Sequence, residues 1–489
     1  MHSFAYGRLG DTLYVFGGRK DGVHNKSGGF ELNGSNRDLI IYDLKNNVAQ
    51  NFSLATLDTA LIDALSSSNT CYTQKGDHLV IIGGYSENSY NKFITHPDLS
   101  IINLVKLRSF ISTNNQQELS ESIHHIKNDT FAIAGGQLKY IDEHFYLVGG
   151  HKFNGIYNAQ TTAFQQTYTE RVLVFDILNL QSSPAIKFIT QIRDELNFRR
   201  RDLNVSPFVT SKNKTELMTF SGVFLVNISS PFLNIASIQE NGFTDISNFN
   251  QLLANYHCAK MGFYSRKNDV MHEVFFGGMA INYYHKNQLI NDPLVPFVKT
   301  ISCVERNANG EYSEIRLPDE MPGFLGTNSE FILLQNTPLF SEDIIDFDLL
   351  KKDTVDLGYI LGGIYNYSTR LNPWQDSMVQ LTQSNPYLLK IKLLPSAINQ
   401  TVTPTKNKIN YSIRYNSIAS NNEIQLDISP KPNSIACWIV NQEGKIVQQL
   451  NTLKNSPISI NTSQYISGSY RCVFLLDRNF QKSFHFLVP

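Results

Sequence analysis

The sequence predicts an all-β chain in two parts: a six-bladed β-propeller over residues 1–395 and, beyond a linker at 396–408, a small antiparallel β-sandwich over 409–489. Three observations predict it. First, a short apolar run that stops at glycine recurs along the chain, as TLYVFGG, HLVIIGG, HFYLVGG, ELMTFSG, HEVFFGG and LGYILGG, with last glycines at 18, 84, 150, 222, 278 and 363. Second, each recurrence sits in the same succession of shorter apolar runs. Third, the last stretch alternates apolar and polar residues without such glycines, after a polar, proline-bearing segment LLPSAINQTVTPTKNK.

Each unit supplies about four short strands. In the second unit CYTQKG, HLVIIGG and LSIINLVKL give three of them; in the third, RVLVFDI and PAIKFI follow HFYLVGG; the first offers LIIYDL and VAQNFSL, the fifth KTISCVE and YSEIRL, the last MVQLT and YLLKIKL. Four antiparallel strands per unit, at a period that varies with insertions, make a propeller blade rather than a strict solenoid. The glycines are architectural: where a second strand ends beside a crowded centre, a residue without Cβ lets neighbouring backbones approach and take positive φ. No GxGxxG or GxxxxGK[ST] falls at any of them, so they are not phosphate loops. In the tail, EIQLDIS, IACWIVNQEGKIVQQL, SPISINTSQYISGSYRCVFLL and KSFHFLVP read as strands, with a hairpin turn at QEG.

Composition narrows the function classes. Lys plus Arg (42) nearly cancels Asp plus Glu (43), so no field favours nucleic acid or an anionic membrane. With 31 Phe and 23 Tyr the chain suits an ordered β-rich protein. Five cysteines without a CxxC pair offer no zinc site, and no metal or other cofactor is expected. No apolar run reaches the roughly 18–20 residues that span a bilayer, so no transmembrane segment is expected. The opening MHSFAYGRLGD lacks the regions of a signal peptide, yet His2 already lies inside a repeat, so a start farther upstream is expected.

The glycine-ended runs resemble kelch repeats, in which a double glycine closes the second strand of each blade. The likeness covers residues 1 to about 395; the downstream Trp of kelch is absent, and Ser221 replaces a glycine in the fourth unit. The tail resembles the type IX secretion sorting domain of Bacteroidota surface and secreted proteins. It does so through Gly444-Lys445 with Val447 after it, then SPISINTSQ, then Gly468-Ser469-Tyr470 and a final strand, though FHFLVP lacks the basic ending often seen there. FRRRDLNVSPFV and HEVFFGGMAINYY look like a group of Bacteroidota kelch proteins with this tail. The resemblance implies export, an extracellular or outer-surface location, type IX machinery as a partner, and a tail usually removed or exchanged for an anchor.

Loop lengths separate two faces. First-to-second turns are short (RLGD, QKGD, YIDE, SKNKTE), whereas second-to-third loops are long and rich in Tyr, Asn and His. Long structureless loops usually carry function, so the ligand is expected on their face. The candidates are Tyr85, Tyr90, His151, Phe153, Asn154, Tyr157, Tyr283, Tyr284, His285, Tyr365, Tyr367, Arg370 and Trp374, aromatic faces beside amides that suit a glycan or a surface protein. Arg199, Arg200 and Arg201 precede the fourth blade, with Arg200 the candidate grip for a carboxylate or phosphate. Asp343, Asp346 and Asp348 lack the glycine and terminal glutamate of a calcium loop and read as solvated acids. Cys437 and Cys472 either pair across the two sheets of the sandwich or lie as two small buried thiols. No GxSxG, HExxH or paired-carboxylate signature marks a hydrolase, and no catalytic residue is assigned. The expected function is binding of glycan or protein by the long-loop face. The rivals are a carbohydrate-active enzyme there, sialate mutarotase-like or a copper radical oxidase, or a structural part of a surface assembly.

Overall fold

A computed structural model describes residues 1–23, 29–113, 115–157, 164–212, 214–341, 343–351, 353–367, 381–394, 412–418, 423–453, 458–477 and 480–488. Strands dominate them, in successive antiparallel sheets. Sheet A joins Ala5–Leu9, Thr12–Phe16, Asp38–Asp43 and Val48–Ser53 in chain order. Sheet B joins Cys71–Lys75, His78–Ile82, Asp98–Asn103 and Ile123–Lys127; sheet C, Gln137–Ile141, His144–Val148, Arg171–Leu178 and Ala185–Arg193; sheet D, Asn204–Ser211, Lys214–Phe220, Ile235–Gln239 and Gly242–Asp245. The second strands are continuous apolar runs because both their faces are covered. Leu79 and Ile81 pack with Tyr14 and Phe16 of sheet A, while Val80 and Ile82 pack with Phe145 and Leu147 of sheet C.

The first strands neighbour one another in chain order, sheet A to B, B to C and onward. The succession returns on itself, giving a propeller-like fold. Ser3 N donates to Asn328 O at 3.3 Å and Tyr6 Oη to Phe331 O at 3.4 Å, joining the start of the chain to Phe324–Leu333, the first strand of sheet F. The recurrent glycine makes the same bond each time. Gly18 N donates to Ser67 O, Gly84 N to Ile133 O, Gly150 N to Arg200 O, Gly222 N to Asn255 O, Gly278 N to Leu325 O and Gly363 N to Met1 O, at 2.6 to 3.1 Å. The glycine before it is needed for room: a Cβ on Gly83 would lie 1.9 Å from Ile133 O, and one on Gly277 2.2 Å from Leu325 O. In sheet D Ser221 takes this place at φ 43°, its hydroxyl bonded to Phe232 O and accepting from Asn255 Nδ2.

Two sheets depart from the sequence expectation. In sheet F the second strand, Val355–Asn366, pairs with both Thr382–Ser384 and Leu389–Leu393, so the run expected as fourth strand lies beside the second; residues 378–380 of the run expected as third lie outside the described residues. Sheet E (Lys260–Ser265, Val270–Phe276, Thr300–Arg306, Tyr312–Glu320) gains Ile344–Asp346, parallel to its first strand, and Leu339–Ser341. Those two strands lie in the connection between the first and second strands of sheet F, on the side expected to be plain. Asp346 and Asp348 anchor the insertion instead of standing solvated: Asp346 pairs with Arg266, and Asp348 accepts from Ser265 Oγ at 2.9 Å and Lys267 N at 3.0 Å. Helices Leu104–Thr113 and Gln116–Glu121, between the third and fourth strands of sheet B, further elaborate that side.

The tail folds as two facing sheets. One holds Ser412–Ile418, Glu423–Ser429 and Ile458–Asn461; the other runs Ile446–Leu453, Ile435–Asn441, Gly468–Leu476, Phe480–Val488 in spatial order. Leu426, Ile428, Ile439, Phe474 and Leu476 fill the space between. Cys437 and Cys472 lie on adjacent strands of one sheet, not across two, as buried free thiols with sulfurs 3.3 Å apart. The outer face of the second sheet packs on the propeller-like part: Trp438, Val440, Val473 and Leu475 meet Leu196, Leu225 and Phe232. Beside this contact Arg471 Nη2 lies 2.6 Å from Asp194 Oδ2 and Nη1 3.6 Å from Asp245 Oδ2, all buried. Asp194 Oδ1 also caps helix Glu195–Phe198, accepting from Leu196 N and Asn197 N.

Asp194→Ala therefore removes a cap and leaves Arg471 buried without its nearer partner. The expected cost is about 3–5 kcal/mol, measured by urea unfolding. Asp194→Asn, which keeps the cap but removes the charge, should cost somewhat less; no measurable cost for Asp194→Asn would mean that the charge pair is irrelevant to the docking.

Candidate functional site

The long-loop side folds onto itself. Tyr85–Glu87 pairs with Phe93–Thr95, and His151–Gly155 with Phe164–Tyr168, as two-stranded ribbons. Tyr85 Oη donates to Gly155 O at 2.5 Å, and Thr95 Oγ1 donates to Phe153 O at 2.8 Å while accepting from Phe153 N. Tyr85, Phe153 and Tyr157 form an aromatic cluster with Phe30 and Phe164, ring centroids 4.8–6.0 Å apart. The cavity under this cluster holds about 80 Å³. His151 is buried there, its Nδ1 2.6 Å from Gln166 Nε2, and burial with nearby Arg201 holds it well below the usual histidine range, hence neutral.

The other expected residues do not converge. Asn154 is half-buried on its ribbon, while Tyr90 and His285 are exposed. Tyr283 is buried, and Tyr284 lies under the Arg316 guanidinium at 4.9 Å. Tyr365 packs on Tyr367 at 4.7 Å and on Tyr387 at 6.0 Å. Arg370 and Trp374 lie outside the described residues. The arginine grip is corrected by its surroundings. Arg200 is wholly enclosed, donating to the backbone oxygens of Asn197, Ser221 and Asn234 and to Asn234 Oδ1, all within 2.6–2.9 Å, over the Phe232 ring. It ties the helix Glu195–Phe198 to the connection between the second and third strands of sheet D, with four of its five N–H groups taken inside the fold. Arg199 stacks on Tyr168 at 4.0 Å, and Arg201 pairs with Asp202 at 2.6 Å.

The larger space lies at the opposite end of the central channel, on the short-hairpin side. It is a cavity of about 540 Å³ walled by the first strands. Alternate residues of those strands are polar and face it: Tyr6 and Arg8 from sheet A, Tyr72 and Gln74 from B, Lys139 from C, Ser206 from D, Lys260 from E and Glu330 from F. The insertion adds Asp343, 3.7 Å from Lys139 Nζ. At the inner end His257 Nε2 lies 3.4 Å from Glu330 Oε1. Burial, with Lys260 and Lys139 nearby, holds His257 well below its usual range, so this contact is made by a neutral imidazole rather than an ion pair.

Burial dominates the electrostatics of the wall. It raises Glu330 against the pull of Lys260, a hydrogen bond from Tyr72 and the charge of Lys139. It raises Tyr72 well above the phenol range, with Glu330 adding to the shift. Glu273, from the second strand of sheet E, is pushed up to about 7 by burial, although Ser206 Oγ donates to its Oε1 at 2.6 Å. Its Oε2 is buried with no partner among the described residues, beside Gly262, where a Cβ would stand 3.1 Å away. Lys260 is lowered by burial first and Lys139 second, against the attraction of Glu330. Among the described residues its ammonium has no carboxylate within 4.0 Å and no hydrogen-bond acceptor. The arrangement can bond hydroxyls, hold an anion or carbonyl at the lysines, and move a proton through either glutamate.

No residue of this wall was a ligand candidate by sequence, where Asp343 reads as a solvated acid. The available signal was a charged residue inside an otherwise buried first strand, as in AKMGF and SEFIL. No family model and no curated protein matches the chain. Among solved structures that resemble it is one described as the structure of YjhT, 13% identical with a TM-score of 0.41, covering 80% of this chain and 97% of that one. A likeness at that level carries no functional argument.

Glu273 has a testable signature. Its folded pKa lies above the free value of 4.5, so the folded chain holds a proton there that the unfolded chain releases. Between pH 4.5 and about 7 this group removes stability as pH rises, with the full loss present above about 7. Glu273→Gln should accordingly raise the urea midpoint at pH 8 and not at pH 5. An equal shift at both would assign the gain to something other than ionisation.

Proposed function

We propose that the chain is an exported, six-bladed propeller that binds a small polyhydroxylated ligand, a sugar or the end unit of a glycan, in the channel from the short-hairpin side. The observation that carries this is the contrast in space: about 540 Å³ there against about 80 Å³ under the self-packed long loops. Small-ligand sites occupy roughly 300–1,000 Å³. The wall supports a sugar: Gln74, Ser206, Glu273, Glu330 and the lysines offer donors and acceptors, while Tyr6 and Tyr72 offer ring faces. The six recurrent glycine bonds, the last returning to Met1, support the blade count. For export and a surface location, the support is the tail's Gly444-Lys445 and Gly468-Ser469-Tyr470 pattern, carried on a module with its own core.

Calorimetric titration with a panel of methyl glycosides tests the site. Glu330→Gln, which alters one charged acceptor, should weaken binding about 10- to 100-fold, as loss of a charged hydrogen bond does. Tyr90→Ala, on the exposed long loops, should leave binding unchanged. The reverse pattern would return the ligand to the long-loop side.

A further inference from the structure

We propose that Lys260 is a nucleophilic amine that captures a small carbonyl compound, an aldehyde or the open-chain form of a reducing sugar, as an imine in this channel. The inference rests on the preceding reading that the cavity admits a ligand. Four observations lead to it. Lys260 borders the cavity of about 540 Å³. Its ammonium meets no hydrogen-bond acceptor among the described residues, whereas the enclosed cation Arg200 meets four. A second lysine, Lys139, borders the same cavity from the first strand of sheet C. Finally, Gly262, two residues on from Lys260 and on the same side of the strand, leaves the gap into which the Glu273 carboxyl fits.

These features suit amine chemistry. A lysine that is desolvated and placed near another cation releases its proton more readily, and the free amine is the nucleophile. Around Lys260 stand Lys139, which disfavours its charge, and Glu330 and Glu273, which favour it, with burial the larger influence. Tyr6 and Tyr72 face the cavity as neutral phenols, Arg8 is held by Leu333 O, and Asp343 is held by Lys139.

The step balances without an oxidant, reductant or metal. The Lys260 nitrogen bonds to the carbonyl carbon as the C=O π pair moves to oxygen. That oxygen gains a proton and the nitrogen loses one, giving a carbinolamine. The carbon–oxygen bond then breaks, the hydroxyl leaves as water with a proton from the Glu273 carboxyl, and C=N forms. Glu273 recovers its proton as the imine nitrogen gives one up, so the sum is amine plus carbonyl to imine plus water.

The test is reductive trapping of the full chain with glycolaldehyde and cyanoborohydride, followed by peptide mass spectrometry. The exposed Lys45 and Lys106 serve as internal references. A lysine that titrates below an exposed one holds more free amine near neutrality, and the free amine is what attacks the carbonyl, so Lys260 should be labelled faster than either. Lys260→Gln should abolish the fast label. Lys139→Gln should move the pH midpoint of labelling upward, and Glu273→Gln should slow labelling with the midpoint little changed; near-ultraviolet circular dichroism checks that each variant is folded. Labelling of Lys260 no faster than the references overturns the inference, and if methyl glycosides, which have no free carbonyl, still bind, the preceding reading survives. Fast labelling without glycoside binding would leave the amine and remove the glycan site.

Discussion

The structure depends on one backbone hydrogen bond, repeated. The amide of the last glycine in each apolar run reaches the carbonyl that leads into the next sheet, and Gly363 makes this bond to Met1. The bond requires its own approach distance, which the preceding glycine supplies by having no Cβ. Because it joins neighbours and not partners within a sheet, it fixes how closely the first strands crowd around the centre. The width of the channel follows from it, and so does the burial of every side chain that points inward.

This explains what could be read from the chain beforehand. The sheets were legible because their second strands are apolar on both faces and end on glycine, a pattern that HLVIIGG carries in seven residues. The tail hairpin around Gly444 was legible for a similar local reason. The outcome for sheet F was not, since whether Leu389–Leu393 forms a separate strand position depends on what it pairs with, and no local pattern fixes that. Loop length pointed to the side of the channel opposite the cavity of about 540 Å³. The long Tyr-rich loops satisfy one another, as Tyr85 with Gly155 and Phe153 with Thr95 show, and length alone does not distinguish a loop that offers its aromatics from one that buries them.

The insertion between the first two strands of sheet F shows the same limit from the other direction. Asp343, Asp346 and Asp348 alternate as a solvated stretch would. Two of them are tied down by sheet E, and the third reaches the channel wall. The parallel pairing of Ile344–Asp346 with Lys260–Ser265 covers the inner edge of that first strand, which would otherwise leave backbone groups unpaired at the mouth. The segment is thus part of the wall on which Lys260 stands.

Arg200 and Lys260 together separate structural from functional burial. Removing a cation from water costs several kcal/mol, an amount that only well-placed partners offset. Arg200 has them: four acceptors and an aromatic face, drawn from the helix Glu195–Phe198 and from the connection between the second and third strands of sheet D. Lys260 lacks them, and so does one oxygen of Glu273 beside it. The residues that flank it, Ala259 and Met261, point the other way into an apolar core, so nothing in the packing of the sheets calls for a cation at 260. A cost that packing does not require, borne on the wall of a cavity of about 540 Å³, is what a binding or reacting group would impose.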